Sequence, residues 1–300
     1  MKTFILLALA GLGAQLVDGS LGMAYGVSST TLLLFVGVAP ALASAAVHIA
    51  EVGTTAVSGI SHASFGNVDW SKIVWMAIPG GIGGFLGASA LVWASTLEAT
   101  AALVEPLMAI ILFSLGVYVL SRFAFRRHER PVNVRPISRK FLAPLGLFAG
   151  FLDAMGGGGW GPISTPTLLS SGRMEPRKVI GTVDTSEFVV ALCASLGFLL
   201  SLTFAQIPWQ VVGALLVGGI VAAPLAAWIV KKLPTRILGT AVGGVILIVN
   251  MRTFFEAIGV TGAMAIVGYV LIVGIWAAAI ASAIAGIRRD RAGGVEGQPA

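Results

Sequence analysis

Apolar residues along this chain gather into nine long blocks parted by short polar breaks, at 3–36, 41–65, 72–95, 100–121, 141–169, 178–201, 209–230, 234–251 and 261–287. Several approach the roughly 20 residues a helix needs to cross a bilayer. The pattern predicts an all-α polytopic membrane protein. Two blocks, 3–36 and 141–169, are long for one crossing, and each is interrupted by a Gly-rich stretch with an acid. The first break reads Asp18-Gly19-Ser20-Leu21-Gly22, the second Asp153-Ala154-Met155-Gly156-Gly157-Gly158-Gly159. Glycine runs unwind a helix, and bare backbone at membrane depth must be buried in protein or line a cavity.

The two broken blocks match without a gap. Leu12 to Leu34 lies over Leu147 to Leu169, pairing Asp18 with Asp153, Gly22 with Gly157, Tyr25 with Trp160, Gly26 with Gly161 and Thr30 with Thr165. After a one-residue shift, Pro40, His48 and Glu51 lie over Pro176, Asp184 and Glu187; a further shift pairs Trp70 with Trp209. Two repeats are expected, 1–126 and 140–255, each a broken hairpin followed by three crossings. Three is odd, so the second repeat should sit inverted, as in many secondary transporters. A basic linker (127–139), an extra C-terminal span (260–287) and a short tail (288–300) complete the organisation. The stretch from Lys2 through Phe4–Ala14 has the make-up of a signal peptide. Because the repeat includes it, it is expected in the mature chain.

Charge sets the expected sides. Loop 122–140 carries Arg122, Arg126, Arg127, Arg130, Arg135, Arg139 and Lys140 against Glu129 alone. Such loops stay cytoplasmic. Arg173, Arg177 and Lys178, then Lys231, Lys232 and Arg236, then Arg288, Arg289 and Arg291 extend the pattern and place the C-terminus inside. On this reading the broken blocks are re-entrant hairpins; single broken crossings are the alternative. Composition agrees: 57% hydrophobic, 11% charged and mean hydropathy +0.94 leave too little polar surface for a soluble fold of 300 residues. The net charge of +6 resides in loops, so nucleic acid is not an expected partner. The lone Cys193 forms no intrachain disulfide, and no cofactor or metal is expected.

Candidate chemistry follows from the breaks. After each one a half-helix starts, with first-turn amides lacking intrahelical partners and roughly half a positive charge. Two such ends meeting from opposite faces would cage an oxyanion. Candidate substrate-binding residues are Gly22, Tyr25, Gly26, Ser28, Ser29, Gly156, Gly157, Gly158, Trp160, Gly161, Ser164 and Thr165. Close helix packing is the other reading of these glycines. Ionisable residues inside spans are functional candidates by default: His48, Glu51, Asp184 and Glu187 share helix faces in pairs and suit proton coupling or a polar gate. Asp18 and Asp153 are expected to cap the broken backbone. Gly156-x-Gly158-x2-Gly161 fits a dinucleotide fingerprint but lacks its βαβ setting. No His-Glu-x2-His or Gly-x-Ser-x-Gly motif points to an enzyme. The expected activity is transport of a small anion, with an anion channel or an intramembrane enzyme as alternatives; the expected partners are that anion and the lipid bilayer.

The paired openings Gly11-to-Thr31 and Gly146-to-Pro166 carry a family likeness, as do Gly156 to Gly159, the Pro40 and Pro176 helix starts, and Val183-Asp184-Thr185-Ser186-Glu187-Phe188. On these the chain resembles the sulfite exporter TauE/SafE family of membrane permeases over about residues 5–255. The resemblance implies movement of sulfite, sulfonates or related organosulfur anions across the cytoplasmic membrane. The first break departs from the fuller glycine run of the second.

Overall fold

The structure, a computed structural model, describes residues 2–124, 137–171, 173–229 and 235–292. Most of the basic linker, Lys231 and Lys232, and the end of the tail lie outside the described residues. Within them the chain is helical, without a strand: α1 (Lys2–Leu21), α2 (Tyr25–Phe35), α3 (Pro40–Ser64), α4 (Trp70–Thr96), α5 (Glu98–Ala124), α6 (Arg139–Gly156), α7 (Trp160–Ser171), α8 (Pro176–Ser201), α9 (Trp209–Ile229), α10 (Thr235–Ala257) and α11 (Gly262–Ala292). Among the described residues seven helices are long and apolar enough to cross a membrane: α1, α3, α4, α5, α8, α9 and α11. The chain is thus an all-α polytopic membrane protein.

Local chemistry sets the boundaries. Pro40 and Pro176 open α3 and α8 at the first helical position, where a missing N–H costs nothing. Asp69 caps α4 by accepting the Ser71 amide at 3.1 Å, and Ser138 caps α6 by accepting that of Lys140 at 3.2 Å. Trp70, Trp75, Trp93 and Trp209 are exposed near helix ends, as interfacial anchors should be. The Arg139 guanidinium lies over the Trp75 ring at 4.5 Å.

Polarity is turned outside in. Leu6, Phe35, Ile60, Leu200 and Met264 stand exposed, while Gln15, Asp18, His48, Glu51, Asp153, Asp184 and Glu187 are buried. This suits a lipid surround, because apolar flanks cost nothing in hydrocarbon and ionisable groups must face the interior.

The packing is reciprocal between the halves. Helices α3 and α8 pack at the centre; α1 lies on α9 as α6 lies on α4, and α9 lies on α3 as α4 lies on α8. Helices α5 and α10 pack together, with α11 outside them. Individual contacts obey the same exchange. A Cβ on Gly11 would stand 2.7 Å from the Leu215 carbonyl oxygen, and one on Gly146 would stand 2.4 Å from that of Met76. Only glycine lets these helix backbones approach so closely.

Candidate functional site

Both breaks fall where the sequence shows glycine, but one helical turn past the acids. Asp18 and Asp153 stay in the last turns of α1 and α6, and the backbone leaves the helix at 22–24 and 157–159. Gly22 (φ +64°) and Gly157 (φ +74°) take the left-handed conformation that ends a helix. Each carboxylate then reaches across its break. Asp18 Oδ1 accepts the Tyr25 amide at 3.3 Å. Asp153 Oδ1 accepts the amides of Gly159 at 2.7 Å and Trp160 at 3.0 Å. The expected capping role is what the geometry contains.

The half-helices α2 and α7 meet at their N-terminal ends. A Cβ on Gly26 would stand 3.0 Å from Gly158 Cα and 3.1 Å from Glu51 Oε1. One on Gly158 would stand 2.2 Å from the Val27 amide nitrogen, and one on Gly161 2.5 Å from Met23 Cα. The Thr165 hydroxyl donates to the Gly22 carbonyl at 2.5 Å; its counterpart Thr30 lies against Gly157, and its oxygen has no hydrogen-bond partner. Tyr25 and Trp160 are fully buried, and their polar atoms are committed. The Tyr25 hydroxyl donates to the Leu215 carbonyl at 3.2 Å and Trp160 Nε1 to that of Val183 at 3.0 Å. These rings pin the half-helices to α9 and α8. Gly156 abuts Ile111 of α5. Ser28 and Ser29 border a groove of about 320 Å³ between α1 and α2, floored by Ala10, Gly13, Ala14 and Val17. Ser29 and Ser164, which occupy matched places on α2 and α7, are both buried without a hydrogen-bond partner.

The four ionisable candidates are all buried, and each pair is joined by an acid from the opposite half. Asp153 Oδ2 lies 3.1 Å from His48 Nε2, which is 3.9 Å from Glu51 Oε2. His48 Nδ1 donates to the Ser44 carbonyl at 2.8 Å, and the Ser44 hydroxyl donates to the Ala154 carbonyl at 2.8 Å. Neither Glu51 oxygen has a hydrogen-bond partner. On the other side Asp18, Asp184 and Glu187 bring one oxygen each to within 4.8 Å of one another. His62 lies beside them, with Nε2 at 3.0 Å from the Gly19 carbonyl and 4.0 Å from Asp184 Oδ2.

Ser44, Gln15 and Ser58 escaped the sequence reading. Ser44 sits four residues before His48, on the same helix face, and Gln15 is a polar residue inside an apolar block. Those signals were available. The sequence pattern of the sulfite exporter TauE/SafE family matches residues 7–253. The chain belongs to that family. It is also 50% identical over 283 residues to the probable membrane transporter protein YtnM of Bacillus subtilis (strain 168), covering 93% of this chain and 92% of that protein. No solved structure matches it. Family and relative together make this chain a membrane transporter of the TauE/SafE type.

Proposed function

We propose that this permease is a secondary transporter carrying a sulfur oxyanion or sulfonate across the cytoplasmic membrane, with its C-terminus in the cytoplasm. The two halves, 1–126 and 140–255, act as inverted repeats that rock about the meeting point of α2 and α7. The reciprocal contacts of Gly11 with Leu215 and Gly146 with Met76 support this reading.

One observation carries the assignment of the site. Ser29, Thr30 and Ser164, all on the two half-helices, bury hydroxyls that have no partner in the protein. A polar group left unsatisfied in a dry interior costs roughly 1–3 kcal/mol, so three on paired half-helices argue for a bound group that accepts hydrogen bonds. Tyr25, Gly159 and Trp160 give their amides to Asp18 and Asp153, so the half-helices add only their remaining first-turn amides and their dipoles to a positive field. A tetrahedral sulfur oxyanion has acceptor oxygens in several directions and suits such a cage.

The cage adjoins a carboxyl. Glu51 borders Gly26, and an anion entering beside an ionised Glu51 would be repelled. A proton on Glu51 removes the repulsion and supplies a donor, so anion and proton bind together. The titratable groups facing Glu51 are His48 on its own helix, Asp153, Asp18, Tyr25 and Glu187. Of these, the His48–Asp153 pair is placed to hand that proton on, since both sit within one short contact chain with Glu51. The test is uptake of labelled sulfite by proteoliposomes, with taurine, thiosulfate and sulfate as competitors. Saturable uptake whose KM rises in Ser29→Ala and Ser164→Ala is expected. A folded preparation that takes up no sulfur anion would overturn the substrate class.

A further inference from the structure

The two buried clusters are built on one plan but differ in one residue, and that difference has a consequence. Where α3 carries His48, the matched position of α8 carries Asp184. In the first cluster an imidazole stands between two acids, 3.1 Å from Asp153 and 3.9 Å from Glu51. The second has three carboxyls, Asp18, Asp184 and Glu187, and their facing oxygens lie within 4.8 Å of one another. Three carboxylates so close in a low-dielectric interior cannot all be ionised without a counter-charge. A basic side chain is nearby, but His62 gives its Nε2–H to the Gly19 carbonyl at 3.0 Å and faces the Asn67 amide nitrogen with Nδ1 at 3.3 Å. Its ring is engaged as a neutral group.

We propose that Asp18, Asp184 and Glu187 form a sodium site. A hard cation held about 2.4 Å from each oxygen keeps its ligands within about 4.8 Å of one another, and these three oxygens meet that spacing. A second observation lies outside the acids. The Ser58 hydroxyl is fully buried and faces Asp184. Both polar atoms of Gln15 are buried and unpartnered, and Ser58 Oγ and Gln15 Nε2 lie 3.5 and 3.6 Å from a Cβ position on Gly19, next to Asp18. An amide left unpartnered beside three carboxyls leaves a place for a bound ion. The site also lies at the C-terminal end of α1, the negative pole of a broken helix, which is where coupling cations bind in transporters with inverted repeats. In the first cluster His48 stands at the position matched by Asp184, between two acids, where the second cluster would take up the cation.

This deepens the transport reading and rests on it only for the ion's purpose, because binding is measured without any anion. The full chain, purified in detergent, is melted in sodium, potassium, calcium or choline chloride at constant ionic strength, and its binding of radioactive sodium is measured. Sodium is expected to raise the melting temperature above choline and potassium and to bind saturably. Ser58→Ala should weaken that binding while melting as the wild type does in choline. Asp184→His, which installs the matched cluster's residue, should abolish it. Absence of saturable sodium binding by the folded wild type would overturn the proposal, as would binding unaltered in both variants or stabilisation by calcium alone. Sodium binding in a protein that moves no sulfur anion would uphold the site and sink the substrate reading instead.

Discussion

The first tip, at 22–24, and the second, at 157–159, have the same outline and different tolerances. The first reads Gly22-Met23-Ala24 and the second Gly157-Gly158-Gly159. Ala24 holds φ +100°, a conformation that costs a non-glycine residue about 1–3 kcal/mol; at the second tip the positive φ values fall on glycines, Gly157 and Gly158. At the second tip Gly158 has φ +146° and lies against the Val27 amide. The acids differ in the same way. Asp153 serves two amides and His48, whereas Asp18 serves the Tyr25 amide and leaves Oδ2 without a hydrogen bond. The second tip is the fully tied one, and the first keeps unused capacity beside Asp184 and Glu187. Matched positions thus place an imidazole between two acids in one cluster and three carboxyls together in the other.

The largest contrast is at the tips. Gly158→Leu should leave no folded protein, as read by monodispersity on gel filtration, because its Cβ alone would stand 2.2 Å from the Val27 nitrogen. Ala24→Gly should do the opposite and raise the melting temperature by relieving a strain of about 1–3 kcal/mol. Next come the acids. Asp153→Ala strands two amides and an imidazole and should cost about 3–5 kcal/mol of stability. Asp18→Ala strands one amide and should cost about 1–3 kcal/mol in sodium-free buffer. Equal losses in thermal or denaturant melts would erase the distinction drawn here. The smallest effect separates the threonines: Thr165→Val loses the bond to Gly22 and about 1 kcal/mol. Thr30→Val loses none, so its melting temperature should hold while its apparent substrate affinity falls.

Much of this was legible in the sequence. The hydrophobic blocks gave the helices because burial in lipid requires long apolar runs, and the glycine runs marked the breaks because no other residue ends a helix so cheaply. Register between the halves could also be read: Asp18 and Asp153 occupy equivalent places in the structure. The pairing across halves could not. Spacing puts His48 and Glu51 on one face of α3, but that Asp153 arrives from 105 positions away depends on how α6 packs, which no local pattern encodes. The positions of the breaks were displaced for a related reason. An acid followed by glycines reads as loop, whereas here each acid remains helical so that its carboxylate can reach forward to the next helix.

In the proposed mechanism an anion and a proton share the junction beside Gly26 and Glu51. Equilibrium binding of a labelled sulfonate, whose own charge does not change near neutrality, to the purified chain across a pH series tests this directly. The wild type should bind more weakly as pH rises, with a limiting slope of about tenfold per unit for one coupled proton, and Glu51→Gln should bind with no such slope. Wild-type affinity that is indifferent to pH, or a slope that survives in Glu51→Gln, would contradict it.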